Sequence, residues 1–262
     1  MKLPQITLYS LLAVTASSCF AQSSILYVSR GGEAAIEDAD TLSHVRTLYG
    51  AENVDYFDGF GDFALDSNFE SYDAVFVSAN IFSNQVGGAL VGYEGGVFIQ
   101  EAYIGDDMGL ATSAINNASG TTLSLGSGPV TALSGLSGDI EFFTSAPGGE
   151  VLGYDSAGPF APGAADSADF GTSLGLISID AGGELLGGGS AAGRRVSLVS
   201  VTTGSIADYT DDGLTLFNAG MEYIAGAPVP EPSAYALLIG TASLGLAFSR
   251  RRRNTGTAGS AK

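Results

Sequence analysis

Residues 73–100, DAVFVSANIFSNQVGGALVGYEGGVFIQ, decide the fold. Two short runs within them, Asp73-Ala-Val-Phe-Val-Ser78 and Gly95-Gly-Val-Phe-Ile-Gln100, are continuously apolar rather than alternating. That is the pattern of a strand buried on both faces. Between them, residues 84–93 predict a short helix in Gly-rich surroundings. Strand, helix and strand in this order imply a parallel pair joined by a helical crossover.

Moving upstream, Ile25-Leu-Tyr-Val-Ser29 is another run of the same kind. Gly31 and Gly32 follow, then a helix over 37–49 that Gly50 ends. Residues 54–57 predict a further strand, and 58–68, with Gly59 and Gly61, an acidic and aromatic-rich loop. The fold class expected from this rhythm is α/β, a largely parallel sheet with flanking helices.

Downstream, glycines come quickly (Gly120, Gly126, Gly128, Gly135, Gly138), and the pattern changes to strands joined by tight turns. The candidates are 140–144, 151–154, 174–179 and 196–201. Gly182-Gly183 would turn the third of these back toward Leu185-Leu186, and 157–168, which holds Pro159 and Pro162, reads as a loop. Thr210 can cap a final helix over 211–225, with Asp211 and Asp212 in the first turn where the helix dipole favours them. Leu214, Phe217, Met221 and Ile224 recur at three- and four-residue spacing and form its apolar face.

Both ends of the chain look like signals. Residues 6–16 are a moderately apolar core after Met1-Lys2, of signal-peptide length. Small residues at 19 and 21 place cleavage between Ala21 and Gln22; a lipidated Cys19 after Ala16-Ser17-Ser18 is the alternative. With cleavage at Ala21 the only cysteine departs, so the exported chain has no disulfide. At the other end Pro228, Pro230 and Pro232 forbid a helix. Residues 233–249 are uncharged, and at 1.5 Å per residue span about 25 Å, near the lower limit for a hydrocarbon core. Arg250, Arg251, Arg252 and Arg253 would halt transfer on the cytoplasmic side. A plain tail anchor is one reading. Val229-Pro230-Glu231-Pro232, a short apolar helix and an Arg cluster together resemble the PEP-CTERM sorting signal of exported bacterial proteins. The trailer 254–262 is longer than such tails usually carry. The resemblance implies passage through the general secretion machinery and signal peptidase, a stay in the inner membrane, and removal of the tail by an exosortase. It also implies a place at the cell surface or in an extracellular polysaccharide matrix. The organisation expected is a signal peptide over 1–21, an exported domain over 22–227, a sorting signal over 228–253 and a cytoplasmic trailer.

The domain is strongly acidic. Only Arg30, Arg46, Arg194 and Arg195 lie within 22–227, against 27 Asp and Glu, a balance near −23 with no lysine. Such a surface repels polyanions, so nucleic acid is excluded as a partner.

Residues 24–227 also resemble the glutamine-amidotransferase-like, flavodoxin-type α/β domains, in the branch found among exported bacterial proteins. The likeness is carried by 25–29, 73–78, the stretch from Gly95 to Tyr103 with Asp106-Asp107-Met108-Gly109, then Gly193-Arg194-Arg195-Val196 and Thr210-Asp211-Asp212-Gly213-Leu214. An amidotransferase of this fold needs a cysteine at the strand-to-helix turn and a histidine to activate it. The turn at 100–105 holds no cysteine, so glutaminase activity is excluded. His44 is the only histidine. It sits within the first predicted helix among Leu42, Val45 and Leu48, a structural or surface position that does not suit a Ser-His-Asp hydrolase.

What remains beyond the strand ending at Gln100 is Glu101, Tyr103, Asp106 and Asp107, and ligands of open α/β sheets settle outside such strand ends. One reading makes Glu101 an acceptor or base with Asp106 or Asp107 beside it. The other pairs Glu101 with Arg194 or Arg195 and lets the aspartates cap the next turn. Calcium is a third option, because hard cations take carboxylate and carbonyl oxygens. Asp55, Asp58, Asp62 and Asp66 supply carboxylates near one loop without the spacing of a known calcium loop. Gly187 to Gly193 lacks the Gly-Lys-Ser/Thr of a phosphate loop. Two function classes follow: an exported, non-catalytic surface or matrix protein, or an exported carboxylate-dependent hydrolase or carbohydrate-acting enzyme.

Overall fold

The computed structural model describes residues 23–33, 36–59, 68–147 and 150–226. The signal peptide, its cleavage point, the sorting motif, the expected membrane helix over 233–249, the Arg cluster and the trailer lie outside these residues. No helix among the described residues is long and apolar enough to cross a membrane.

The expected opening strands form. They are β1 (Ile25–Ser29), β2 (Val54–Asp58), β3 (Ala74–Val77) and β4 (Gly96–Ile99). All residues of β1, β3 and β4 are buried, as their unbroken apolar runs require. Helix α1 (Ala39–Tyr49) links β1 to β2 and ends at Gly50, and α2 (Ser83–Leu90) links β3 to β4. β1 lies between β2 and β3, with Ile25 opposite both Val54 and Ala74, and β3 pairs with β4; all three pairings are parallel.

Side chains leave these strands alternately to two layers. Tyr27, Phe76 and Phe98 stack in a row, with ring centroids 4.6 and 5.4 Å apart, and Phe98 meets Phe217 of α5 (Asp211–Ile224) at 5.1 Å. Leu26, Val28, Val75, Val77, Val97 and Ile99 face the other way. They join Val86 and Leu90 of α2, and Ala102 and Ile104 of α3 (Ala102–Asp107). Thr210 caps α5 as expected, its hydroxyl accepting the Gly213 N–H at 3.0 Å. Phe217, Met221 and Ile224 dock on the sheet, whereas Leu216 rather than Leu214 completes the buried face. The backbone of α5 comes very near the start of β4: a Cβ added to Gly96 would stand 2.0 Å from the Ile224 carbonyl oxygen.

The expectation of a largely parallel sheet is corrected by the second half, because the sheet is mixed. The remaining strands are β5 (Ala114–Ile115), β6 (Thr122–Leu125), β7 (Gly138–Glu141), β8 (Val151–Asp155), β9 (Ala164–Phe170), β10 (Ser173–Ile179), β11 (Arg195–Leu198) and β12 (Ser200–Val201). The order runs β2-β1-β3-β4-β11-β10-β9-β6-β7, with β8 joined to β10, and β5 and β12 joined to β8. β11 pairs parallel with β4, and every pairing beyond it is antiparallel. Only Gly171-Thr172 separates β9 from β10. A two-residue turn can reverse the chain but cannot carry it back to a parallel start. β9 also occupies the end of the stretch read as a loop over 157–168. The strand expected over 140–144 sits earlier, at Gly138–Glu141, and the run 196–201 is broken at Val199 between β11 and β12. After the Gly182-Gly183 turn, Leu186 does not return to β10; its N–H donates to the Gly109 carbonyl at 2.9 Å. Helix α4 (Pro129–Ser134) packs against α5, and two N–H groups of its first turn donate to the buried Asp166 carboxylate.

Candidate functional site

Parallel strands bring their carboxyl ends to one edge. The chain leaves β1 for β2 on one side, while β3 lies on the other, so the strand order reverses between β1 and β3. Connections diverge at such a point and leave a crevice. A cleft of about 520 Å³ stands there. Arg30 follows β1, Asn80 and Phe82 follow β3, Glu101 and Tyr103 follow β4, and all five line it. Glu37, Asn116, Glu150 and Thr202 line it as well.

Behind the cleft is a buried polar knot. Asp38, with no exposed surface, accepts the Tyr27 hydroxyl on Oδ2 at 2.5 Å and the Ser29 hydroxyl on Oδ1 at 2.8 Å. Asn80 Nδ2 donates to the same Oδ1 at 3.3 Å, and Asn80 Oδ1 accepts the Arg30 N–H at 3.2 Å. The Tyr27 phenol is pushed well above its ordinary pKa, first by burial and then by the Asp38 charge. These bonds tie β1 and the residues after β3 to the chain entering α1. The remaining cleft residues are placed by the polypeptide leaving the strand ends.

Glu101 is the cleft's buried acid. It caps α3, its Oε1 accepting the Tyr103 N–H at 3.1 Å, and it is 7% exposed. Burial pushes its carboxyl up to about 7, while the Tyr103 N–H pulls the other way. Around it the surface is aromatic and open: Phe82 is 53% exposed and Tyr103 40%, with the Arg30 guanidinium 4.3 Å from the Phe82 ring centre. Glu150 accepts Asn116 Nδ2 at 3.2 Å. Among the described residues acidic side chains therefore outnumber cations in the cleft.

The structure separates the acids that the sequence puts close together. Asp106 and Asp107 line a different depression, of about 330 Å³, with Gly109, Thr112 and residues 185–188. The α-helical turn between Glu101 and Asp106 sends them to different openings. The arginines do not reach Glu101 either. Arg195 starts β11 opposite Val97, near the amino end of β4, and Glu101 lies beyond the carboxyl end. Arg195 is buried and donates to the carbonyls of Gly95 at 2.8 Å, Arg194 at 3.0 Å and Leu90 at 3.3 Å, and to that of Tyr93. Arg194 donates to the Tyr223 carbonyl at 3.0 Å and covers the Tyr223 ring. His44 is half-buried between α1 and α5, with Nε2 2.7 Å from Asn218 Oδ1.

Among the described residues no group of three or more His, Cys, Asp or Glu could hold a metal ion. Asp55 accepts the Tyr72 hydroxyl and Asp58 the Gly31 N–H. Asp62 and Asp66 lie outside the described residues, as does most of the acidic loop. Sequence reasoning found Glu101 and Tyr103 by the strand-end rule but missed Asn80 and Phe82, which the same rule applied to β3 would have marked. Asn116 and Glu150 come from the antiparallel half, and nothing in their spacing points to the cleft.

No curated protein matches the chain. The family of the PEP-CTERM protein-sorting motif does match, over residues 228–253, the segment that the prolines, the uncharged stretch and the arginines delimit. The match reaches none of the domain before it, and it supports an exported protein that an exosortase processes.

Proposed function

We propose that the chain is an exported cell-surface or extracellular-matrix protein whose domain, residues 22–227, binds rather than cleaves. The match at 228–253 carries the export and the processing of the tail. The chain enters the general secretion route, signal peptidase cuts between Ala21 and Gln22, and the 233–249 segment holds the domain on the periplasmic side of the inner membrane until an exosortase removes the tail. The flavodoxin-like β2-β1-β3-β4 order serves as the scaffold for the cleft at its switch point. The absence of cysteine from 22–262, and the position of His44 away from the cleft, favour binding over acyl-transfer chemistry.

Intact-mass measurement on protein from the native host, fractionated into inner membrane, outer membrane and medium, tests this. The expected species begins at Gln22, ends within 228–232 and lies outside the inner membrane. A species keeping 233–262 in the inner membrane would overturn it.

A second reading, an exported carboxylate-dependent hydrolase or carbohydrate-acting enzyme, is favoured by Glu101. A buried carboxyl titrating near 7 is suited to donate a proton to a leaving group at neutral pH. Its partner would be Glu37 or Glu150, which share the cleft, and not Asp106 or Asp107. Loss of an activity in Glu101→Gln, with the fold intact, would decide for this reading.

A further inference from the structure

Three features of the cleft at the β1–β3 switch point constrain what can enter it. Its open walls are aromatic: Phe82 and Tyr103 expose about half of their surface from two different strand ends. Its polar groups are mostly amides, hydroxyls and carboxylates, namely Asn80, Asn84, Asn116, Thr202, Glu37, Glu101 and Glu150. Its one cation among the described residues, Arg30, already lies against Phe82. An anionic ligand would meet the Glu37 and Glu150 carboxylates inside a domain near −23, and is repelled. An apolar ligand would leave the buried Glu101 carboxyl desolvated without a donor on its second oxygen, a costly arrangement.

A sugar ring satisfies all three. Its C–H face lies flat on an aromatic side chain, and its hydroxyl or amino hydrogens point outward at carboxylate and amide oxygens. We infer that the cleft is a saccharide site for uncharged or amino-bearing sugar units, with Tyr103 and Phe82 as stacking surfaces and Glu101 as the buried acceptor, and that it rejects uronic acids. An amino sugar places its ammonium against Glu101, where a neutral sugar places a hydroxyl. The inference rests on the binding reading only in that the saccharide leaves as it came; a shortened oligomer would end that reading and leave the site in place.

Titration calorimetry of the full chain, in a detergent without sugar headgroups, tests it with three probes: a glucose trisaccharide, a glucosamine trisaccharide with free amines, and a uronic acid trisaccharide. The first two are expected to bind and the third not. Tyr103→Ala and Phe82→Ala, both at exposed positions, should each weaken binding roughly five- to tenfold. Glu101→Gln keeps an oxygen for the Tyr103 N–H and should abolish any preference for the amino probe over the neutral one. Uronate binding as tight as the neutral probe would overturn the inference. So would silence from both other probes, or unchanged binding in both aromatic variants. Chromatography of the recovered probe reports separately whether it was cut.

Discussion

The Tyr27 hydroxyl donates to Asp38 Oδ2 at 2.5 Å, and neither side chain has any exposed surface. This bond fastens the middle of β1 to the chain entering α1, and the Ser29 and Asn80 bonds to Oδ1 bring in the end of β3. Replacing Asp38 by Ala leaves the Tyr27 hydroxyl and Asn80 Nδ2 without this acceptor, while the Ser29 hydroxyl can still donate to Asn80 Oδ1 at 3.0 Å. Unsatisfied buried groups cost about 1–3 kcal/mol each, so Asp38→Ala should lose about 3 kcal/mol or more in urea unfolding. Tyr27→Phe removes one donor and should cost about 1–2 kcal/mol. The double variant should fall short of the sum, because both changes break the same contact.

Glu101 predicts a pH dependence. Its carboxyl lies at about 7 in the folded protein because it is buried, above the 4.5 of a free glutamate. The native state therefore holds a proton that the unfolded state has released across roughly pH 4.5 to 7, and stability falls as pH rises through that window. The loss attributable to this one group is about 3 kcal/mol. Glu101→Gln should flatten the corresponding part of the stability profile, measured as the difference in unfolding free energy between wild type and variant from pH 4 to 8. Parallel profiles would mean that Glu101 is solvated like any surface carboxylate.

The parts of this fold that were legible are those where burial speaks through composition. β1, β3 and β4 are unbroken apolar runs, and α1 and α5 carry three- and four-residue spacing with Gly50 and Thr210 at their ends. Strand direction was not legible, because β10 is as fully buried as β3 and yet pairs antiparallel with both neighbours along the sheet. Burial sets composition; the connection sets direction. β9 was hidden for a different reason: Ala-Ala-Asp-Ser-Ala-Asp-Phe has small residues and two aspartates, and Asp166 is buried because it caps α4. At the candidate site, Glu101 followed from its place after a buried strand. Its separation from Asp106 needed the course of α3, and Glu150 needed the whole antiparallel half.

Gly96 should be intolerant of any side chain. An added Cβ would sit 2.0 Å from the Ile224 carbonyl oxygen, inside the packing of α5 on β4. Backbone on both sides leaves nothing flexible to yield, so Gly96→Ala should cost about 3 kcal/mol or more, at the upper end of overpacking effects. Gly135, in the left-handed region with φ 69° and open space around it, is the control. Alanine there should cost only about 1–2 kcal/mol, the intrinsic strain of that conformation. Thermal unfolding of the two variants side by side checks the difference.

Arg195→Lys should be far from conservative. The buried guanidinium serves four carbonyl oxygens around the turn before β4, and a single ammonium cannot span them. Loss of about 2–4 kcal/mol is expected from the carbonyls left without donors. Amide exchange should quicken at 93–97 before it does in β1, a pattern that general destabilisation would not produce.

Among the described residues the two ends of the sheet path, β2 and β7, have a consequence for an exported protein. A free strand edge invites another chain to extend the sheet. β2 carries Asp55 and Asp58, and β7 carries Asp139 and Glu141, so two copies meeting rim to rim oppose like charges on every approach. The acidity that turns away polyanions thus also guards the fold against polymerising with itself. In a medium rich in divalent cations the charges are screened and that guard weakens.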